Sequence, residues 1–160
     1  MHPPGQSGMF GFSLPGGPTV REVDLQDAAA YAHDIIGNLN EGMSRWIDWN
    51  LCVDKNGGPR HVPWGFCAPV CVNDDGTYTK LLTFDYIGHF SRYIQPGAKR
   101  VAFSRFDDSL DVTAAVNPDG QIIVVLLNRR DKDVSCTIRL KGMLILVEIP
   151  ARTISTVCID

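Results

Sequence analysis

Apolar residues between positions 24 and 43 repeat with the period of an α-helix. Asp24 offers an acceptor that suits a helix N-terminus, and Gly42 suits its end. The apolar side chains at this spacing are Ala28, Tyr31, Ala32, Ile35, Ile36, Leu39 and Met43. The pattern predicts one amphipathic helix over Asp24–Met43, of about five turns.

Shorter elements are predicted to follow that helix. Arg45–Val53 has the pattern of a strand, and the DKNGGP sequence of Asp54–Pro59 predicts a tight turn that uses positive-φ positions. Another strand is predicted at Ala68–Asn73. The apolar spacing over Leu82–Ile94 predicts a second helix, which Pro96 and the following glycine stop.

From Lys99 onward the pattern changes to short β-branched runs separated by turn residues. Such runs at close spacing predict an antiparallel meander, half of a β-sandwich. The Asn117-Pro-Asp-Gly120 sequence is a strong hairpin signal, and the run from Gln121 to Asn128 is apolar on both faces, which predicts a central strand. The runs are KRVAFSRF, LDVTAAVN, QIIVVLLN, VSCTIRL, MLILVEIP and ARTISTVCI.

Composition excludes several functional classes. The chain has 160 residues and a formal net charge of −3, and no long cluster of lysine or arginine provides the basic face that nucleic acid requires. No apolar run approaches the roughly 20 residues of a membrane-spanning helix, so we expect no transmembrane segment. The first residues also lack the basic-then-apolar order of a signal peptide.

The cysteines are expected to be buried free thiols. Their number is odd, at five, and most lie in apolar, strand-like surroundings. Cys67 and Cys71 have a spacing that suits two ligands of a metal, but no second pair or histidine cluster completes a set of four. We therefore expect no metal site.

The sequence WIDWN, from Trp46 to Asn50, carries the most specific candidate chemistry. On a strand, Trp46, Asp48 and Asn50 point to one side, while Ile47 and Trp49 point to the other. A carboxylate and an amide beside indoles suit a sugar, whose hydroxyls need donors and acceptors and whose apolar ring face stacks on an aromatic plane. The alternative is that the tryptophans fill a core and Asp48 satisfies backbone amides in the following turn.

Several separated motifs resemble one known family. WIDWNL followed by D-x-x-GGP, then FCAPV, FDYIGHFSRYIQPGAKRV and NPDGQIIVVLLN, are similar to the C-terminal part of glycoside hydrolase family 30, and most closely to the glucosylceramidases (acid β-glucosidases). The likeness runs in order from about Ala28 to Cys158. It implies a mainly β chain with two helices: the last helix-strand unit of a β/α-barrel joined to a C-terminal antiparallel β-sandwich.

The family reaction that this resemblance implies is the retaining hydrolysis of the β-glucosidic bond of glucosylceramide, by two glutamates about 5 Å apart. The chain has three glutamates, Glu22, Glu41 and Glu148, and none lies at a matching position. By family order, both catalytic glutamates belong upstream of residue 28. We therefore expect no catalytic residue and no cofactor in this chain, which would be a C-terminal portion that is inactive alone.

The resemblance also implies which side chains would bind substrate. Trp49 matches the tryptophan that lines the glucose pocket, Asn50 follows it, and Phe66 matches an aromatic residue near the rim. Asp48 resembles a residue that supports the pocket, with Trp46 beside it. The chain departs from the family where GGPRHVPWGF has Arg60 and Gly65 in place of asparagines. His89 matches a family histidine, but a core role is expected for it.

Three segments and several partners are expected. Residues 1–23 form a Gly/Pro-rich arm, 24–66 the end of a barrel, and 67–160 the sandwich with the helix near 82–94. The expected ligand is a β-glucoside or the glucosylceramide headgroup. A non-catalytic module that binds carbohydrate or protein, and a structural role with self-association through an exposed sheet edge, are the alternatives. The resemblance implies a lysosomal or secreted location.

Overall fold

The computed structural model describes residues 25–59, 61 and 66–160. The predicted arm over residues 1–23, and the departures at Arg60 and Gly65, lie outside the described residues. Two compact units are present. The first contains the described residues up to 31 together with Trp46–Ile87, and the second contains Ala32–Arg45 with Gly88–Asp160. The predicted boundaries near residues 23 and 66 stay a prediction.

Helix α1 spans Leu25–Asn40, close to the predicted range. It buries Ala28, Ala32 and Ile35, which lie three or four residues apart as the pattern required. The helix ends before the predicted Met43 because Gly42 adopts a φ of 92°, and its N–H donates to the carbonyl oxygen of Leu39 at 3.1 Å. Of the features that end the helix, only the glycine was visible in the sequence.

The first unit contains a sheet of three short strands in the order β1-β2-β3, with β1 parallel to β2 and β2 antiparallel to β3. The strands are β1 Cys52–Asp54, β2 Val70–Val72 and β3 Tyr78–Lys80. The prediction of a strand over Arg45–Val53 was wrong in extent. The pairing with β2 begins only at Cys52, and a strand requires a paired neighbour as well as a suitable pattern.

The turn after β1 was predicted from its glycines and is confirmed. Asp54 Oδ1 accepts hydrogen bonds from the backbone N–H groups of Asn56, at 2.7 Å, and Gly58, at 2.9 Å. Gly57 adopts a φ of 72°, which favours glycine. A loop that is held in this way brings the chain from β1 toward Phe66, whose N–H donates to the Gly57 carbonyl oxygen at 2.9 Å.

Helix α2 spans Leu82–Ser91 and ends three residues before the predicted Ile94. The N–H of Ile94 still donates to the carbonyl oxygen of Phe90, at 2.9 Å, but the residues directly after Ser91 form a turn and not a continuation of the helix. Within the described residues, neither helix is long and apolar enough to cross a membrane.

The second unit contains a four-stranded sheet in the order β4-β5-β6-β9 and a separate hairpin of β7 and β8. The strands are β4 Lys99–Arg100, β5 Asp111–Val116, β6 Ile122–Asn128, β7 Val134–Leu140, β8 Met143–Ile149 and β9 Thr153–Ile159. The predicted simple meander was wrong, because β9 pairs with β6 rather than with β8. The predicted strand KRVAFSRF is limited to β4, its first two residues.

Strand β6 is the centre of this unit, as its two apolar faces predicted. It pairs with β5 on one side and β9 on the other, and every residue from Ile123 to Asn128 is buried. Val124 and Leu126 pack in a cluster with Leu110 and Ile149. The predicted hairpin turn between β5 and β6 is also present, since the Asn117 N–H donates to the Gln121 carbonyl oxygen at 2.8 Å.

Candidate functional site

The segment from Trp46 to Leu51, just before β1, has two different sides. Trp46, Asp48 and Asn50 are half-buried. Ile47, Trp49 and Leu51 alternate with them and are 84%, 80% and 75% exposed. The alternation predicted for a strand is therefore confirmed, although this segment is not part of a paired ladder. We refer to Ile47, Trp49 and Leu51 as the exposed row.

Helix α1 contacts the other side of the segment through Tyr31. The Tyr31 ring meets the Trp46 ring edge to face, with 5.7 Å between centroids and an interplanar angle of 66°. The Tyr31 hydroxyl also donates a long hydrogen bond, of 3.4 Å, to Asp48 Oδ1. Because Tyr31 is only 8% exposed, these contacts fix Trp46 and Asp48 on the helix side of the segment.

Asp48 also fixes the backbone of its neighbour. Its Oδ1 accepts a hydrogen bond from the Trp49 N–H at 2.8 Å. A side chain that bonds to the next peptide in this way restricts the backbone at that residue. The Asp48 side chain therefore restricts the main chain of Trp49, whereas the indole of Trp49 lies on the opposite, exposed side of the segment.

Burial makes the electrostatics of this pair unusual. Desolvation raises the pKa of the Asp48 carboxyl, and the hydrogen bonds from the Trp49 N–H and the Tyr31 hydroxyl only partly oppose it. Burial, and then the nearby Asp48, raises the pKa of Tyr31 above its usual range. Asp48 Oδ2 is buried and has no hydrogen-bond partner among the described residues. The site thus holds a carboxyl group whose pKa lies above its ordinary value.

The five predicted site residues do not form one cluster. Trp46 and Asp48 lie together around Tyr31, and Asn50 is half-buried like them. Trp49 extends into the open on the other side. Phe66 is half-buried and is linked by its backbone to the turn after β1. The exposed row offers an apolar aromatic surface without a carboxylate of its own, which suits stacking but not proton transfer.

Tyr31 is the residue that the sequence analysis missed. It was included only as one of the apolar positions of helix α1. A tyrosine on the buried face of a helix usually requires a partner for its hydroxyl, and this was the available signal. Which residue provides that partner depends on the packing of the helix, so the pairing with Asp48 was not visible.

Other residues singled out from the sequence have structural roles. His89 Nδ1 lies 2.9 Å from Thr156 Oγ1, and its ring stacks on Tyr93 with 6.3 Å between centroids. Glu41 lies exposed just beyond helix α1, and Glu148 lies exposed on β8. Neither glutamate is part of the segment that carries Trp49, and Glu22 lies outside the described residues.

Among the described residues there is no group of three potential metal ligands. The five cysteines are free thiols, but the expectation that they are buried was wrong for most of them: Cys71 is buried, Cys67 and Cys136 are half-buried, and Cys52 and Cys158 are exposed. The second unit also contains a polar cavity of about 180 Å³. Asp111 is one of its lining residues, and its Oδ2 lies 2.8 Å from His33 Nδ1 and 2.9 Å from Arg129 Nε. These contacts join helix α1 to β5, and β5 to Arg129 just after β6, within the unit, which is a structural role.

Family models match almost the whole chain in two adjoining parts. Residues 17–94 match the glycosyl hydrolase family 30 TIM-barrel domain. Residues 97–157 match the glycosyl hydrolase family 30 beta sandwich domain. These matches confirm the resemblance inferred from the WIDWNL and NPDGQIIVVLLN motifs, and they confirm the predicted fold class of a β-sandwich joined to the end of a barrel.

Individual relatives agree with the family models. The lysosomal acid glucosylceramidase of Mus musculus is 38% identical over 110 residues, which is 68% of this chain and 21% of that protein. The structure of SrfJ from Salmonella typhimurium is 32% identical and superposes with a TM-score of 0.82, covering 89% of this chain and 33% of that one. The endo-β1,6-glucanase BT3312 is 25% identical with a TM-score of 0.68, covering 82% and 30% of the two chains. The chain thus spans a fifth to a third of these relatives.

Proposed function

Because this chain belongs to glycoside hydrolase family 30, we propose that its exposed row forms one wall of a β-glucoside pocket in a glucosylceramidase-like enzyme. In that role Trp49 stacks on the apolar face of the glucose ring. Asp48 and Tyr31 hold the backbone that carries Trp49. The reaction of the whole enzyme is hydrolysis of the β-glucosidic bond of glucosylceramide to glucose and ceramide.

The exposure of Trp49 is the observation that carries this proposal. A tryptophan is a large apolar side chain that proteins usually bury for most of its surface, yet this indole is 80% exposed. Ile47 and Leu51, on the same side, extend the apolar surface to either side of it. Trp49 is also the residue that matches the pocket tryptophan of the family.

The helix side of the segment supports this wall rather than contributing chemistry. Asp48 is committed to the Trp49 N–H at 2.8 Å and to the Tyr31 hydroxyl at 3.4 Å. A carboxylate that is held on the opposite side of the chain from the sugar-stacking indole does not reach the anomeric carbon in front of that indole. Asp48 is therefore a positioning residue.

Hydrolysis requires two carboxyl groups, and among the described residues the segment that carries Trp49 contains no glutamate. Retaining enzymes place the nucleophile and the acid/base about 5 Å apart across the scissile bond. Of the three glutamates, Glu41 and Glu148 lie outside the segment that carries the exposed row, and Glu22 is outside the described residues. We propose that both catalytic glutamates belong to a preceding barrel, of which these 160 residues form the C-terminal continuation.

Incubation of the 160-residue chain with a fluorogenic β-glucoside tests the catalytic part of this proposal. We expect no turnover above the rate without protein, because the proposal assigns both catalytic glutamates to the preceding barrel. Turnover that is abolished by Asp48→Asn would overturn the assignment of Asp48 as a positioning residue. It would also show that the chain provides its own catalytic pair.

Calorimetric titration with a non-hydrolysable β-glucoside analogue tests the binding part. Trp49→Ala is expected to lower the affinity about 2- to 10-fold, if the sugar–indole contact is comparable to an aromatic pair, which contributes about 0.5–1.5 kcal/mol beyond its buried area. The matched control is Phe106→Ala, which removes a fully exposed aromatic side chain from the second unit. Equal loss in both variants, or none in Trp49→Ala, argues against the stacking role.

A non-catalytic carbohydrate-binding module is the second candidate. Its support is that the exposed row needs no further residue in order to stack on a sugar ring. The two functions differ in what is expected when the preceding barrel is supplied on the same polypeptide. If this longer polypeptide has strong β-glucosidase activity that Trp49→Ala reduces, the enzyme is supported. If it binds the glucoside as the 160-residue chain does but has no activity, the module is supported.

A further inference from the structure

The turn after β1 contains an asparagine that is followed directly by a glycine. Of the asparagines in the chain, Asn56 alone precedes a glycine. Asn56 is exposed to solvent, whereas Gly57 is buried and has a φ of 72°. A glycine has no Cβ that obstructs the approach of a neighbouring group to its nitrogen. The side-chain amide of Asn56 therefore lies next to a backbone nitrogen that no side chain of its own shields.

This pair of residues can lose ammonia without an enzyme. Hydroxide removes the proton of the Gly57 N–H, and the nitrogen then forms a bond to Cγ of Asn56. The side-chain nitrogen takes a proton from water and leaves as ammonia, which regenerates the hydroxide and leaves a five-membered cyclic imide. Water then adds to one of the two imide carbonyl carbons and breaks the bond from that carbon to the Gly57 nitrogen. Opening at Cγ produces aspartate, and opening at the main-chain carbonyl carbon produces isoaspartate.

The fold restrains the first step of this reaction. The Gly57 N–H donates to the Asp54 carbonyl oxygen at 2.9 Å, so the proton that must leave is held in a hydrogen bond. The Asp54 carboxylate also accepts the backbone N–H groups of Asn56, at 2.7 Å, and Gly58, at 2.9 Å. Together these bonds fix the backbone on both sides of the Asn56 side chain. Reaction therefore requires local opening of the turn, and we expect it to be slower than in the unfolded chain.

The isoaspartyl product is incompatible with the present turn. It places one additional carbon in the main chain between positions 56 and 57, which displaces Gly57 relative to Asp54. The Gly57 carbonyl oxygen accepts the Phe66 N–H at 2.9 Å, and this bond ties the far end of the loop to the turn. Either product also adds a negative charge close to the Asp54 carboxylate, which repels it. Conversion of Asn56 thus weakens the contact that holds Phe66.

We propose that Asn56 is a site of spontaneous deamidation, and that its isoaspartyl product releases Phe66 from the turn after β1. The turn thereby has a chemical lifetime that is set by how often it opens. The reaction at Asn56 is independent of sugar binding at Trp49. Only its consequence for a pocket rim at Phe66 rests on the proposed function.

Incubation of the full chain at mildly alkaline pH, followed by peptide mapping with mass spectrometry, tests the reaction. The peptide that contains Asn56 should gain the mass difference between an amide and an acid, while the peptide that contains Asn73, which precedes an aspartate, should keep its mass. Asn56→Gln keeps an amide but requires a larger ring, so it should stay unconverted. In urea the Asn56 amide should be lost at least about twofold faster, since one backbone hydrogen bond contributes a factor of about 2 to 10.

Hydrogen exchange of the Phe66 amide tests the consequence. In chains that contain isoaspartate at position 56, this amide should exchange at least about twofold faster than in unreacted chains, because its acceptor has been displaced. Asn56→Gln, incubated in the same way, should keep the original protection. Asn56→Asp adds the charge without lengthening the main chain, so it should keep most of that protection.

The proposal is overturned if Asn56 is not converted in the folded chain, or if the folded and urea-unfolded chains react at the same rate. It is also overturned if isoaspartyl chains protect the Phe66 amide as well as unreacted chains do. Equal loss of protection in Asn56→Asp would contradict the role of the additional carbon. None of these measurements uses a sugar, so failure of the glucoside-binding tests on freshly purified protein leaves them unchanged.

Discussion

Replacement of Asp48 by asparagine changes how stability depends on pH. Asp48 Oδ2 is buried without a hydrogen-bond partner among the described residues, and desolvation raises the pKa of the carboxyl above its ordinary value of 3.8. The unfolded chain loses this proton near 3.8, while the folded chain holds it to a higher pH. The stability contribution of the protonated group is thus greatest below 3.8 and is lost as the pH rises through the raised folded pKa.

Asp48→Asn removes this titration and keeps an oxygen acceptor for the Trp49 N–H and the Tyr31 hydroxyl. The variant should therefore gain stability relative to the parent protein as the pH rises from about 4 toward 7. A buried polar group without a partner costs about 1–3 kcal/mol. Because the Asp48 side chain is only half-buried, we expect the pH-dependent gain to be on the order of 1 kcal/mol.

Urea unfolding at a series of pH values, followed by tryptophan fluorescence, measures this difference. Trp46 and Trp49 flank Asp48 and report on its surroundings. Asp75→Asn is the matched control with the opposite sign. The hydrogen bonds from the Thr77 side chain and backbone lower the pKa of Asp75, so its contribution is present above the ordinary value and lost as the pH falls. A difference for Asp48→Asn that is flat, or that shrinks as the pH rises, would refute the reasoning.

Three further predictions follow from other contacts. Asn128→Ala should lower the free energy of unfolding by about 3 kcal/mol in denaturant titrations, because this buried amide bonds to three carbonyl oxygens and to the Arg130 N–H. Asn73→Ala, at a half-buried residue whose amide bonds to two threonine hydroxyls, should cost much less. Tyr31→Phe should cost about 1 kcal/mol or less and raise the pKa of Asp48 further, as observed by NMR titration of its carboxyl carbon. Ile47→Ser with Leu51→Ser should reduce any self-association seen by sedimentation velocity, since it removes exposed apolar surface.

The parts of the fold that the sequence predicted well are those whose signal is local. Strand β6 carries apolar residues on both faces, and the Asn117–Gly120 turn needs only its own residue types, so both were recognised. Helix α1 follows from the spacing of its apolar residues. In each case a single segment contains the information that determines its structure.

The errors concern elements that depend on distant partners. Arg45–Val53 has the alternation of a strand, but its pairing with β2 begins at Cys52, and no local pattern specifies where a neighbour begins. The pairing of β9 with β6 is a contact between segments about 30 residues apart, so a meander and the observed order have the same local signals.

The candidate site shows the same division. The alternation that separates Trp49 from Asp48 is a property of the extended segment and was predicted. The contact of Asp48 with Tyr31 joins residues that are 17 positions apart, and it depends on how helix α1 packs. The sequence therefore suggested a shared sugar-binding role for the polar residues, whereas the structure assigns Asp48 a contact with the helix.

The indole N–H resonances of Trp46 and Trp49 test the central claim most directly. In a two-dimensional ¹H–¹⁵N NMR titration of the chain with a β-glucoside, the Trp49 resonance should shift progressively, since its ring is exposed where the sugar stacks. The Trp46 resonance should stay in place, because its ring is held against Tyr31. A shift of the Trp46 resonance alone, or no shift of either resonance at saturating glucoside, would contradict the assignment of the exposed row as a wall of the sugar pocket.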